Sequence, residues 1–237
     1  MPTTSVENYL KAILHLHEDG VERVSTTAIA DKVEATPAST SAMLAKLGVR
    51  GWLDHEPYHG VQLTRKGRRM AMEILRRHRL WERFLVDQLG FEWDQVHEIA
   101  EELEHVDSTE LTNRLDAFLG FPKRDPHGDP IPGPNGRFRS VEARTLLAEA
   151  PRNIELVVVG VVDGRDAFLR HLGVLGIELG TRIVVKTRHA FDGSLKVKIN
   201  DADAVELLAS SVAERLWVDQ STTTPVIVFP ENEASAS

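Results

Sequence analysis

Residues 36–64 read TPASTSAMLAKLGVRGWLDHEPYHGVQLT, and their order of signals decides the fold of the first third of the chain. Thr36-Pro37 is a helix cap followed by proline at the first helical position, and Gly51 stands where a C-terminal stop is expected. Between them, Ser39, Thr40 and Ser41 crowd the helix start, while Met43, Leu44 and Leu47 form an apolar side. Trp52–Glu56 and Val61–Thr64 then flank Pro57-Tyr58-His59-Gly60, the pattern of a short hairpin. Working outward, Ser5 caps a helix with Tyr9, Leu10, Ile13, Leu14 and Leu16 at helical spacing. Ser25 caps a second, with Ile29, Ala30 and Val33 inward. Two short helices, a third with small polar residues at its start, then a hairpin: this is the order of a winged helix-turn-helix.

Downstream, Thr64 caps a long helix running to Gly90, with Ile74, Leu80, Trp81, Phe84 and Leu85 apolar. Asp94 opens another, and Asp107 or Ser108 a third that ends near Gly120. Helices this apolar need a partner surface, so a helical dimerisation domain is expected. Residues 121–139 (FPKRDPHGDPIPGPNGRFR) form an extended connection, and residues 140–150 a short capped helix. From Ile154 short β-rich runs at 154–162, 181–186, 195–199 and 215–218, separated by glycines, fit a small β-barrel. The expected fold is mostly α with a small β-barrel. It comprises a winged helix-turn-helix over 1–73, a helical metal-binding and dimerisation domain over 74–121, a linker with a short helix over 122–150, a barrel over 151–230 and a disordered tail over 231–237.

The 237 residues, 42% hydrophobic and 27% charged, describe a globular chain, and no apolar run reaches membrane-span length. The N-terminus lacks the order of a signal peptide, so a cytoplasmic protein is expected. With no cysteine, any metal is held by nitrogen and oxygen. The net charge of −8 hides a segregation. Residues 41–80 carry nine basic side chains against three acidic ones, and residues 82–116 eleven acidic against two basic. One region would meet an anion and the other collect cations, unless both are merely solvated faces of opposite sign.

The strongest constellation is His97, Glu101, Glu104 and His105, whose i,i+3 and i,i+4 spacings put them on one helix face. His78 and Glu82 form another i,i+4 pair on the preceding helix. Either pair alone is common on a solvated helix. Both together, in a segment overloaded with acid, resemble metal-site construction in helical bundles. His15 and His17, two residues apart, cannot share a ligand face, and His127 in the proline-rich connection is read as incidental.

These segments are similar to the metal-dependent repressor family of the diphtheria toxin repressor and the manganese transport regulators. The resemblance is carried by Glu7-Asn8-Tyr9-Leu10-Lys11, His78-Arg79-Leu80-Trp81-Glu82, residues 96–106 and Gly128-Asp129-Pro130-Ile131-Pro132-Gly133 at their mutual spacing. It covers residues 1–220 and implies that the barrel is FeoA-like and SH3-like. It also implies a primary metal site of Asn8, Glu101, Glu104 and His105, and an ancillary site of His78, Glu82 and His97. Glu101 stands where iron-type relatives place cysteine, and Lys11 where manganese regulators have a ligating Glu. Asp163 or Asp166 would stand in for ligands the barrel donates in iron-type members. This hard oxygen and imidazole set suits Mn²⁺, with Fe²⁺ as the alternative; Zn²⁺, Co²⁺, Ni²⁺ or Cd²⁺ are expected to bind in vitro.

For DNA, the helix starting at Pro37 would enter the major groove. Thr27, Thr36, Ser39, Thr40 and Ser41 offer small donors, Lys46 and Arg50 charge, and His59, Arg65 and Lys66 lie on or beside the wing. The expected function is a manganese-responsive regulator binding palindromic operator DNA as a homodimer, the repressor of metal-uptake genes that the family implies, with no membrane and no small-molecule substrate. An iron-responsive repressor and a metallohydrolase are the alternatives.

Overall fold

The computed structural model describes residues 3–18, 20, 22–56, 59–139, 144–162, 164–202 and 204–220. They group into two compact units, the described residues within 1–142 and 164–171, and those within 143–163 and 172–220. No helix among the described residues is long and apolar enough to cross a membrane.

The first unit opens with α1 (Thr4–Glu18), α2 (Thr26–Lys32) and α3 (Pro37–Val49), followed by β1 (Leu53–Glu56) and β2 (Gly60–Leu63). The caps are the expected ones: Ser25 accepts from Ala28 N–H, and Thr36 from Ser39 N–H. The strands pair antiparallel from Leu53↔Leu63 to Glu56↔Gly60, forming the wing. Val6, Leu10, Ile13, Leu14, Ile29 and Leu44 are fully or almost fully buried in a core that also takes in Ile74 and Leu75 of the next helix.

That helix, α4 (Arg65–Leu89), is a single 25-residue rod, capped by Thr64 and ended by Gly90 in the left-handed region at φ 70°. It runs through the expected boundary at residue 73. At about 1.5 Å per residue it carries the chain from the wing to the helices α5 and α6 of the same unit, which it contacts. Its start is fixed by a close approach: a Cβ on Gly67 would lie 2.0 Å from the Trp52 carbonyl oxygen. Gly67→Ala is therefore expected to cost about 2 kcal/mol, read as a lower urea midpoint.

α5 (Val96–Leu103) and α6 (Thr109–Phe118) complete the helical part. Gln95, not Asp94, occupies the N-cap of α5, without a side-chain capping bond; Ser108 caps α6 by accepting from Leu111 N–H. The connection at 121–139 is tied down rather than loose. Arg79 Nη1 donates to Pro130 O (2.7 Å), and Ile131 is fully buried against Leu80 and Leu115. The basic stretch is also only partly a surface. Arg76, Arg77 and Arg79 are buried, and Arg76 and Arg139 converge on Asp116, itself 1% exposed.

α7 (Asp166–Val174) is divided between the units. The second unit holds a six-stranded antiparallel sheet in the order β3-β8-β4-β5-β6-β7. Its strands are β3 (Thr145–Leu146), β4 (Glu155–Val161), β5 (Arg182–Arg188), β6 (Leu195–Ile199), β7 (Glu206–Leu208) and β8 (Leu216–Gln220), with α8 (Ser210–Ala213) before β8. Register shifts at Val158/Gly160 and Val185/Thr187 bend the sheet, as a small barrel requires. Where a short helix was expected at 140–150, β3 pairs with β8 instead, Thr145 opposite Val218; residues 140–143 lie outside the described residues. The expected tail at 231–237 lies outside them too.

Candidate metal centre and nucleic-acid interface

α5 stops at Leu103, and this breaks the single ligand face that sequence spacing implies. His97 and Glu101 remain together on the helix, with Nε2 and Oε1 3.5 Å apart. Glu104 is the C-cap and turns fully inward. His105 lies beyond the helix, and its Nδ1 sits 2.6 Å from Glu7 Oε2. Asn8, the expected α1 ligand, is exposed, whereas its neighbour Glu7 is buried. Glu7 also takes a hydrogen bond from Arg77 Nη2 at 2.9 Å.

The groups that do converge meet on Glu82, which is 2% exposed. Its Oε1 lies 3.0 Å from His78 Nε2, 3.4 Å from His97 Nδ1 and 3.7 Å from His127 Nδ1. Two overlapping groups result, His78–Glu82–His97 and Glu82–Asp125–His127, each with ligand atoms within 4.8 Å of one another. The first is the expected ancillary set. Asp125 and His127 come from the proline-rich connection, so the reading of His127 as incidental is corrected: no periodicity marks a loop residue, and only the fold of residues 121–139 brings it to α4.

The surroundings hold these side chains ready. His127 Nε2 faces the Trp93 carbonyl at 2.8 Å, and a carbonyl only accepts, so Nε2 carries the proton and Nδ1 is turned toward Glu82. Asp125 Oδ1 accepts from the His127 and Asp129 backbone N–H groups, both at 2.9 Å. Its Oδ2 lies 3.3 Å from Arg79 Nε. Burial alone would depress both His78 and His127. For His78 the charge of Glu82, with Glu104 also in contact, outweighs burial and lifts the pKa to about 9; for His127, Glu82 and Asp125 do the same, also to about 9. Burial would likewise raise Glu82, but His78, His127 and His97 hold it well below the usual carboxylate range. Asp125 is pushed up to about 6 by burial and by the charges of Asp129 and Glu82. At neutral pH the metal-free centre therefore stores two protons on histidine beside two carboxylates. One divalent cation exchanged for those two protons leaves its buried charge unchanged, so the residues fit such an ion.

A pH dependence follows from the raised values. Protonated His78 and His127 stabilise the metal-free fold below about pH 6.5, and that contribution is lost as pH rises through about 9. Metal affinity is expected to run the other way. The Mn²⁺ dissociation constant, titrated calorimetrically from pH 6.5 to 8.5, is expected to fall by up to about tenfold per pH unit for each histidine proton released.

The carried-over primary set does not gather. Lys11 Nζ lies 2.8 Å from Glu104 Oε2 and 3.2 Å from Glu101 Oε1. His78 Nδ1 is 2.7 Å from the same Glu104 oxygen, in an ion-pair contact outside hydrogen-bond geometry. Asp163 lies outside the described residues, as does the side chain of Asp166.

At the other end of α4, Thr27, Thr36, Ser39, Ser41, Lys46, Arg50, His59, Arg65 and Lys66 are exposed. Thr40 is not: it is fully buried, with its hydroxyl 3.1 Å from that of Tyr9, so it ties α3 to α1 and cannot touch DNA. Helical phase explains this, since Thr40 shares a stripe with Leu44 and Leu47. Arg50 and Lys66 both lie over the Trp52 ring, at 5.1 and 5.8 Å from its centroid, which gathers two cations from α3 and α4 beside the wing.

Three family descriptions match the chain. They are the iron dependent repressor N-terminal DNA binding domain over residues 1–61, the iron dependent repressor metal binding and dimerisation domain over 64–133, and the FeoA domain over 145–220. The diphtheria toxin repressor of Corynebacterium diphtheriae is 30% identical over 214 residues, 86% of this chain and 92% of that protein. The iron-dependent repressor IdeR of Mycobacterium leprae is 38% identical over 129 residues, covering 54% of this chain and 56% of the relative's length. Among solved structures, a manganese-dependent transcriptional repressor in complex with manganese superposes with a TM-score of 0.75 at 39% identity, covering 91% of this chain and 100% of the other. The manganese regulator SloR gives 0.66 at 30%, covering 93% and 100%.

Proposed function

From the premise that this chain belongs to the diphtheria toxin repressor family of iron- and manganese-dependent regulators, we propose that it is a cytoplasmic, Mn²⁺-responsive repressor that binds palindromic operator DNA as a homodimer and restrains metal-uptake genes. The family is one of transcriptional repressors rather than enzymes, which removes the metallohydrolase alternative. The observation carrying the metal reading is the Glu82 centre, whose donors are imidazole nitrogens and carboxylate oxygens with no sulfur. That set favours Mn²⁺ or Fe²⁺ over softer ions.

His78, Glu82, Asp125 and His127 would hold the ion, with His97 closing the exposed side. A bound divalent cation supplies the charge that lets these buried carboxylates converge without protons. The protein's part is mechanical. His78 and Glu82 ride on the same rod that carries Arg65 and Lys66 at the wing, His97 on α5, and Asp125 and His127 on the connection. Drawing these elements onto α4 would fix the two α3 helices of a dimer at one spacing, which sets operator half-site separation. Leu111 and Phe118 on α6, 40% and 66% exposed, supply apolar surface for a second copy. Fe²⁺ remains the second reading because iron-dependent repressors are among the relatives.

The test is made in the host cell. Deleting the gene is expected to leave divalent-metal uptake genes transcribed in manganese-replete medium, where the parent silences them. Unchanged transcripts, or derepression that follows iron alone, contradict the manganese assignment.

A further inference from the structure

Lys11 is nearly buried, yet its ammonium is spent on two carboxylates that the family resemblance assigns to a metal. It reaches Glu104 at 2.8 Å and Glu101 at 3.2 Å, across more than ninety residues of sequence for the first pair. Glu104 is wholly inaccessible, its Oε2 is met by Lys11 and by His78 Nδ1 at 2.7 Å, and its other oxygen, Oε1, has no hydrogen bond among the described residues. His105 Nε2 lies 4.0 Å from that oxygen. Among the described residues Glu101, Glu104 and His105 do not form a group whose ligand atoms lie close enough together to share one metal. An ion entering here without moving Lys11 would therefore lack the set of about six ligands that Mn²⁺ prefers. It would also sit beside a fixed positive charge. Asn8, the remaining expected ligand, is exposed.

We propose that the Lys11 ammonium is the resident cation of the Glu101–Glu104 pair, standing where a divalent ion would otherwise bind and tying α1 to α5 without metal. On the metal-dependent reading given above, sensing then rests on the Glu82 centre alone, with one regulatory ion per chain. Together with the Glu7–His105 and Glu7–Arg77 contacts, Lys11 makes α1 a permanently docked helix rather than one that metal must recruit.

Mn²⁺ stoichiometry of the full chain, read from the loss of the free-ion electron paramagnetic resonance signal, tests this. The wild type is expected to bind about one equivalent per chain, and Lys11→Gln about one more, lost again when Glu104→Gln is added. Glu101→Gln, a half-exposed site whose substitution leaves the core intact, is expected to leave the wild-type count unchanged, and a drop by one equivalent there overturns the proposal. So does a Lys11→Gln variant that gains nothing. A wild type that binds no Mn²⁺ sinks the metal reading instead; a gain in Lys11→Gln then still supports the Lys11 assignment, and no gain defeats both. With chelator present, Lys11→Gln is also expected to melt several degrees lower while Lys11→Arg stays near wild type; equal melting of all three contradicts the strut.

Discussion

Glu82→Gln is expected to abolish the metal response altogether. Glu82 is the one carboxylate shared by both ligand groups, and three imidazoles lie within 3.7 Å of it. An amide keeps the shape but offers a neutral oxygen and an N–H that repels protonated histidine. Mn²⁺ affinity, measured by calorimetric titration at pH 7.5, is expected to fall by about 100-fold or more, since even outer groups of a metal site cost about 10–100-fold. The helical content should persist, because the packing of α4 rests on Ile74, Leu75 and Leu80 and not on Glu82. A variant that keeps micromolar Mn²⁺ binding would place the regulatory site elsewhere. The companion substitution His127→Ala separates the two overlapping groups: a matching loss makes the connection a ligand donor, whereas unchanged affinity confines the site to α4 and α5.

The largest stability effect is expected from Asp116→Ala. Asp116 takes Arg76 at 2.7 Å with both side chains buried, and Arg139 converges on the same oxygen. Asn113 completes the Arg76 contacts at 3.0 Å. Removing the carboxylate strands a guanidinium that water cannot reach, a loss of about 3–5 kcal/mol in urea unfolding. The contrast lies two residues away. Arg114 and Glu110 form an ion pair whose side chains are 79% and 75% exposed, and Arg114→Ala is expected to change stability by less than about 0.5 kcal/mol. Equal effects of the two substitutions would show that Asp116 is not the anchor of α6 on α4.

Local chemistry made much of the fold readable. Ser25, Thr36, Thr64, Ser108 and Gly90 cap the helices as their side chains or backbone freedom require, because a cap is decided within one turn. The wing strands followed from the turn-rich break between two short β runs. What escaped depends on groups far apart in sequence. Glu7, not Asn8, turns inward on α1 beside Leu10 and Leu14, and its partners Arg77 and His105 lie 70 and 98 residues away. The end of α5 at Leu103 was not legible, and with it went the single face of His97, Glu101, Glu104 and His105. Arg76, Arg77 and Arg79 counted as surface charge because their partners Asp116, Glu7 and Asp125 lie 40 to 70 residues away. In sequence Thr40 reads as a DNA contact because its hydroxyl partner, Tyr9, is on another helix. β3 escaped because two residues carry no periodicity, and β8 supplies the pairing.

The central claim is that occupancy of the Glu82 centre gates sequence-specific DNA binding. It is met most directly by selecting duplexes from a random pool with the full chain, once with Mn²⁺ and once with chelator. A palindromic motif recovered only with Mn²⁺, and not by Glu82→Gln under either condition, is the expected result. The same motif recovered equally with chelator, or no motif in either arm, would contradict it.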